Sequence, residues 1–246
     1  MVDGTGRSAV ATFYAPDAWG ERVELGEGAA RHAHVRRLEM GDHVRLTSGD
    51  GRRAFGTLAL LEKRRLVVEC DHASISRTPR RRRVELWAPV GDRERMLLLG
   101  EKAVELGATA WRSVMYRRSR SVSPRGEGEA FAEKLRVRMI AALEQCGDAW
   151  LPEILPEAQA DAVIPTAHVG GAILLDPLGL PFRDVLADAH VPVVLAVGPE
   201  GGLEPEERHA FEACGWRAAS IGSNVLRFET AGIAALAITR ALLRTT

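Results

Sequence analysis

Two short segments hold the residues whose types and spacing could do chemistry. The first is Val197-Gly198-Pro199-Glu200-Gly201-Gly202-Leu203, directly after the apolar run Val191–Val197. Glycines at the carboxyl end of a strand let backbone amides approach a ligand closely, and open α/β sheets bind ligands there. The same glycines would also serve a tight βα turn with no ligand. The segment contains neither the G-x-G-x-x-G dinucleotide fingerprint nor the G-K-[ST] of a phosphate-binding P-loop. The second segment is Ile221-Gly222-Ser223-Asn224-Val225-Leu226-Arg227-Phe228-Glu229-Thr230-Ala231. An arginine and a glutamate flank a helix start in it, with a polar Thr230 alongside. The plain alternative is a helix cap, Glu229 lying near the positive end of the dipole.

The elements that must position these segments form an alternating series from Val84 onward. Val84–Val90 is a strand candidate, Arg93–Leu106 a helix and Thr109–Met115 a strand. Ala130–Cys146 is a helix with Leu135, Met139 and Leu143 on one stripe. Gly171–Leu175 and Val191–Val197 are short apolar strands of the buried, parallel type. Glu206–Ala213 is helical with Pro205 suited to its first turn, Ala218–Ile221 is a last strand and Thr230–Leu243 a last helix. The alternation predicts an α/β layer fold with a mostly parallel sheet. The first seventy residues differ. Val44–Leu46, Ala54–Leu60 and Leu66–Glu69 are short strands separated by turn residues such as Ser48-Gly49-Asp50-Gly51, a pattern that predicts a small β-barrel. Ala30–Leu38 reads as a brief helix. These readings place one domain over residues 1–74, a basic linker over 75–83 around Arg80-Arg81-Arg82-Arg83, and a second domain over 84–246. The linker serves either as a solvated hinge or as a phosphate-contacting strap.

Composition narrows the function classes. The chain has 246 residues, enough for one large domain or two small ones, and 46% hydrophobic residues can bury an ordinary core. No apolar run is long enough to span a bilayer, and Met1–Tyr14 lacks the pattern of a secretory signal. The expected location is the cytoplasm, without a membrane partner. Cys70, Cys146 and Cys214 lie far apart with no C-x-x-C, and His32 and His34 are the one close histidine pair, so no metal site is expected. The formal net charge is zero, but it averages two opposite halves. Through Arg125 there are 24 Lys+Arg against 16 Asp+Glu, or +8; from Gly126 onward there are 9 against 17, or −8. That asymmetry points to a polyanion facing the N-terminal half.

Taken together, the two segments resemble the RsmE family of 16S rRNA uridine-N3 methyltransferases, in the SPOUT superfamily of S-adenosylmethionine-dependent enzymes. The resemblance extends upstream through Glu101-Lys102-Ala103-Val104-Glu105-Leu106-Gly107, then Glu144-Gln145-Cys146-Gly147 with Leu151-Pro152-Glu153-Ile154. His32, Arg37, Leu38, Gly41 and Asp42 resemble the start of that family's PUA-like barrel. The motifs run in the family's order along nearly the whole chain. The resemblance implies a trefoil-knotted sheet behind an N-terminal PUA-like, RNA-binding barrel, and a homodimer with catalytic sites at the subunit interface. It implies that S-adenosyl-L-methionine is held largely by backbone groups of Leu174, Leu175 and Asp176, of Gly198, Pro199, Glu200, Gly201 and Gly202, and of Ile221, Gly222, Ser223, Val225, Leu226 and Arg227.

The implied reaction moves a methyl group to a uracil ring nitrogen on 16S rRNA of the small ribosomal subunit. Arg227 is the candidate cation for charge developing on the uracil oxygens; pairing with Glu229 or bracing the knot is its structural alternative. Glu200 is the candidate proton acceptor, the alternative being hydrogen bonds to its own loop. Arg36 and Arg37 on the barrel, with Arg117, Arg118 and Arg120, are the candidate phosphate contacts, or else a solvated charged face. The chain departs from the family at Asn224 and Asp148, where the family usually has arginines. It departs again at Tyr116-Arg117-Arg118-Ser119, where T-E-R-S is usual. An aspartate at position 148 is expected to weaken phosphate contact locally. Other readings compatible with these departures are a SPOUT methyltransferase with a different RNA target, such as a ribose 2′-oxygen, and a non-catalytic RNA-binding or ribosome-assembly paralogue.

Overall fold

The computed structural model describes residues 9–119, 127–167, 171–189 and 192–243. They divide into two compact units, Met1–Arg80 with Ile140–Leu151, and Arg81–Met139 with Pro152–Thr246.

The first unit contains β1 (Ala11–Tyr14), β2 (Arg22–Leu25), α1 (Glu27–Val35), β3 (His43–Thr47), β4 (Arg52–Leu61) and β5 (Leu66–Arg77). The strands form one curled sheet in the order β1-β3-β4-β5-β2, in which β1 and β3 are parallel and the other pairs antiparallel. Period-2 alternation turns Val44 and Leu46 inward, where they join Phe13, Leu58, Leu66 and Val68 in one apolar core. Helix α1 stops short of Leu38 because Arg37 takes a left-handed φ of 57°, a conformation that ends helices. Strand β5 runs eight residues past the expected Glu69 and reaches Arg77, opposite Arg52 in register. Part of the basic run read as linker is therefore strand. Gly51 has φ 102°, and a Cβ there would lie 2.4 Å from the Trp150 ring, so the turn admits only glycine.

Segment Ile140–Leu151 contributes polar partners to this unit. Glu144 accepts from the Tyr14 amide at 2.9 Å and lies 2.9 Å from His32 Nδ1. Asp148 is 6% exposed, pairs with Arg53 at 3.6 Å, and its carbonyl accepts from Thr47 Oγ1 at 3.0 Å. The expected weakening of phosphate contact at Asp148 is thus corrected. Its carboxylate is a buried partner of Arg53 and does not face a polyanion.

The second unit alternates strand and helix: β6 (Val84–Pro89), α2 (Arg93–Glu105), β7 (Ala110–Met115), α3 (Glu129–Cys146), β8 (Glu153–Gln159), α4 (Ala160–Val163), a 3-10 turn (Ile164–Thr166), β9 (Ala172–Pro181), α5 (Phe182–Ala187), β10 (Val193–Val197), α6 (Pro205–Ala213), β11 (Arg217–Ser220) and α7 (Phe228–Leu243). The last turns of α3, from Ile140, belong to the first unit. The sheet order is β11-β9-β10-β6-β7-β8, and every adjacent pair is parallel. Strands β6 and β10 are buried along their whole length; β10 reads as an unbroken apolar run for that reason, whereas β6 carries Glu85, which accepts from Trp87 Nε1. Trp87, Phe211 and Trp216 pack on one face of the sheet, and Trp216 Nε1 donates to the Ile164 carbonyl at 3.1 Å. The edge strand β8 escapes the sequence patterns because Pro156 interrupts it, and an edge strand tolerates a missing donor.

Candidate active site

Strands β10 and β11 flank β9 in the sheet, although β10 and α6 separate β9 from β11 in sequence. The parallel register sets the end of β10 beside Leu175 of β9 and the end of β11 beside Pro181. The loops Gly198–Leu203 and Ile221–Arg227 leave from β10 and β11, and Asp176-Pro177 belongs to the stretch of β9 just past its last β10 partner. They surround a cleft of about 360 Å³, within the size range of small-molecule sites. Leu175, Asp176, Gly198, Pro199, Glu200, Gly202, Ile221, Gly222, Val225, Leu226 and Arg227 all line it.

Leu174, Gly201 and Ser223 do not line the cleft. Strand alternation turns Leu174 into the core, where it is 3% exposed. Gly201 backs onto Arg118, and a Cβ on Gly201 would lie 3.0 Å from the Arg118 Cβ. The cleft also includes Leu203, Arg208, Asn224, Phe228 and Ala231, which motif reading passed over. Phe228 and Ala231 are one turn apart on α7, so helical spacing could have shown that they share a face. Nothing local marks Arg208. It reaches the cleft because the α6 capping box, with Glu204 and Glu207 as reciprocal caps, fixes where the helix starts.

The walls are mostly apolar, and charge is confined to a few side chains. Asp176 is 5% exposed; Oδ1 accepts from the Leu178 amide at 2.8 Å and Oδ2 pairs with Arg208. Glu200 pairs with Arg95 through Oε1. Arg227 is exposed at the cleft, and its side chain has no hydrogen-bond or ion-pair partner among the described residues. Its structural alternative, a pair with Glu229, does not form: Glu229 Oε1 lies 3.9 Å from Arg95. Such a site suits an amphiphilic small molecule with a polar or charged end. Among the described residues no group of three His, Cys, Asp or Glu side chains could hold a metal, and no helix is long and apolar enough to cross a membrane.

Arg118 braces the glycine loop from outside. Its Nε and Nη2 donate to Glu204 Oε1 at 2.7 Å and Oε2 at 3.0 Å, and Nη1 donates to the Gly201 carbonyl at 3.1 Å. A two-pronged guanidinium–carboxylate pair combines charge with directionality. The hydrogen bond from Arg118 and its charge hold the Glu204 carboxyl below the ordinary carboxylate range, and Glu204 in turn raises Arg118. Because the folded value is depressed, the stabilisation is complete above the unfolded carboxylate range and is lost as pH falls through the folded value. Denaturant midpoints measured from neutral to acid pH should therefore drop more steeply in the wild type than in Arg118→Gln. Parallel curves would refute this linkage.

The RNA methyltransferase domain family matches residues 78–240, and the RNA methyltransferase PUA domain family matches residues 25–70. The chain belongs to the RNA methyltransferase domain family. Ribosomal RNA small subunit methyltransferase E of Treponema pallidum (strain Nichols) is 33% identical over 118 residues, covering 45% of this chain and 44% of that protein. The chain thus matches just under half the length of that relative. A Legionella pneumophila protein solved in complex with the bound cofactor SAM superimposes with a TM-score of 0.83. Identity is 27%, and the match covers 96% of this chain and 98% of that one. Ribosomal RNA small subunit methyltransferase E from Neisseria gonorrhoeae, bound to S-adenosyl methionine, gives a TM-score of 0.80 at 27% identity. That match covers 94% of this chain and 97% of the Neisseria chain.

Within this RNA methyltransferase domain the arginines singled out for nucleic acid divide by their partners. Arg117 is exposed, and its pair with Glu206 at 3.2 Å lies in solvent, where such pairs contribute little. Arg118 is committed to Glu204 and Gly201. In the PUA-matched unit, Arg36 and Arg37 are both exposed, and Arg36 Nη1 donates to the Val10 carbonyl at 3.3 Å. Arg120 lies outside the described residues.

Proposed function

We propose that this protein is an S-adenosylmethionine-dependent methyltransferase that modifies N3 of a uridine in 16S rRNA. In this reading it is a cytoplasmic homodimer whose C-terminal segment forms a trefoil knot. The likeness to the SAM-bound Neisseria enzyme over almost the full length of both chains carries the proposal. The cleft fits the cofactor: apolar walls suit an adenine ring, and loop glycines leave backbone groups accessible. When bound, S-adenosylmethionine would supply an electrophilic methyl group on a sulfonium.

The chain's own residues would do the rest. Asp176-Pro177 of β9 and the loops after β10 and β11 orient the two reactants, and positioning alone can remove much of the barrier. Arg227, whose side chain has no partner among the described residues, stands ready to meet negative charge growing on the uracil oxygens. Glu200 is the candidate acceptor for the N3 proton, with Oε1 held by Arg95. Arg36, Arg37 and Arg117 are the proposed phosphate contacts. The knot is supported by the path of Ile221–Arg227, which leads from edge strand β11 to α7, packed on β6, β10 and α2. The dimer is supported by Leu178 and Val225, apolar yet 91% and 85% exposed beside the cleft.

The deciding experiment incubates the purified protein with 30S subunits and labelled S-adenosylmethionine, then locates the methyl group by nuclease digestion and mass spectrometry. N3-methyluridine in 16S rRNA is the expected product. A methyl group on a ribose 2′-oxygen would replace the uracil-N3 reading, and no transfer despite cofactor binding would favour a non-catalytic paralogue. The logarithm of the affinity for a 16S fragment should also fall linearly with log salt, and Arg36→Ala and Arg37→Ala should each lower the slope by about one. Unchanged slopes would remove these residues from the RNA surface.

A further inference from the structure

We propose that Arg95 is a positioning residue for methyl transfer, holding the glycine loop and the head of α7 at one fixed spacing. The proposal rests on the reading of the cleft as the cofactor site. Arg95 does not line that cleft. It stands in the first turn of α2, whose start is set by its own amide donating to the Asp92 side chain at 3.0 Å. From there its guanidinium reaches two carboxylates far apart in sequence. Nη1 bonds Glu200 Oε1 in the glycine loop, and Nε lies 3.9 Å from Glu229 Oε1 in the first turn of α7.

The turn before α2 fits the same junction. A Cβ on Gly91 would touch the Phe228 ring at 3.5 Å and Glu200 Oε2 at 3.9 Å. Glu200 and Arg227, the two residues proposed to face the uracil, belong to the two segments that Arg95 joins. Their separation therefore depends on a guanidinium outside the cleft.

Glu229 makes the dependence sharper. It is 7% exposed, and its Oε2 is buried with no hydrogen-bond partner among the described residues. Arg95 is the cation placed to offset this charge, and a buried carboxylate without one is costly. A rigid fork with several donors can serve two carboxylates at once, whereas an ammonium is a single point charge. Arginine is thus the side chain suited to this junction.

The test compares wild type, Arg95→Ala, Arg95→Lys and the double variant Arg95→Ala/Glu229→Gln. Arg95→Ala should raise KM for S-adenosylmethionine and Kd for S-adenosylhomocysteine roughly tenfold or more, and it should also lower kcat, because small misplacements near the chemistry are expensive. Arg95→Lys should recover part of both. The double variant removes the stranded buried charge, so its thermal midpoint should return toward wild type while KM stays high. Recovery of wild-type KM and kcat together with stability would overturn the proposal, leaving Arg95 as a mere counter-charge. Wild-type KM and kcat in Arg95→Ala would do the same. Should Arg95→Ala fail to fold, the lysine and double variants carry the comparison. Absence of S-adenosylmethionine binding by wild type in calorimetry would instead bring down the cofactor reading itself.

Discussion

Arg227→Ala is expected to slow single-turnover methylation by about 10²–10³-fold, the usual loss when one electrostatic stabiliser of a developing oxyanion is removed. The Kd for S-adenosylmethionine should stay within about threefold of wild type, since an interaction made only in the transition state acts on kcat and not on ground-state binding. The contrast is well posed because the side chain has no partner among the described residues, so its loss orphans no buried group. The backbone carbonyl of Arg227, which accepts from the Ala231 amide at 2.9 Å to start α7, is unaffected. Single-turnover transfer to 30S subunits checks the rate and calorimetry the affinity. An unaltered rate would exclude Arg227 from the chemistry. Glu200→Gln gives the companion measurement. If Glu200 accepts the N3 proton, the acid limb of the pH–rate profile should disappear; an unchanged profile would assign Glu200 to Arg95 alone.

Gly179→Ala should destabilise the protein by about 3 kcal/mol, at the upper end of overpacking costs, and abolish ligand binding. A Cβ at Gly179 would lie 2.4 Å from the Ala219 amide nitrogen, 2.5 Å from the Ala218 carbonyl carbon and 2.7 Å from its oxygen. All three are backbone atoms of β11, so no side-chain rotation can make room. The strands must part at the point where their register already shifts, between Ala218 and Ala219. Strand β11 is an edge strand whose one strand partner among the described residues is β9, with α5 packed against it. Its displacement would carry away Ala219, Ser220 and the Ile221–Arg227 wall of the cleft. Gly28→Ala in α1 is the control: a Cβ there meets nothing within 4 Å, and replacing a helical glycine should stabilise by roughly 0.5–1 kcal/mol. Denaturant midpoints read both effects, and wild-type stability and binding in Gly179→Ala would contradict the packing argument.

Much of the fold was legible because its strongest signals are local. An apolar run identified β10, a helical stripe identified α3, and turn residues separated β3, β4 and β5. The elements that escaped are those whose stability comes from partners elsewhere. β1 and β2 have four residues each and exist through pairing with β3 and β5. β8 contains a proline, and the end of β9 is held by β11 after a register shift. The placement of Asp148 was illegible for the same reason: its burial depends on Arg53, ninety-five residues earlier in the chain.

The two loop segments and the family they resemble could be read from sequence because glycines, an arginine and a glutamate at fixed spacing are a local property. Charge could not. The +8 and −8 halves suggested a basic half free to meet a polyanion, yet Arg95, Arg117 and Arg118 of that half pair with Glu200, Glu206 and Glu204 of the acidic one. Part of the asymmetry is internal wiring of the second unit. Coulomb attraction acts through space, and only the parallel order β11-β9-β10-β6-β7-β8 decides which charges come within reach. The sequence by itself determined which residues could carry the chemistry. The tertiary structure decided which side chains stand without a partner among the described residues, as that of Arg227 does, and which hold the cleft in shape, as Arg118 does.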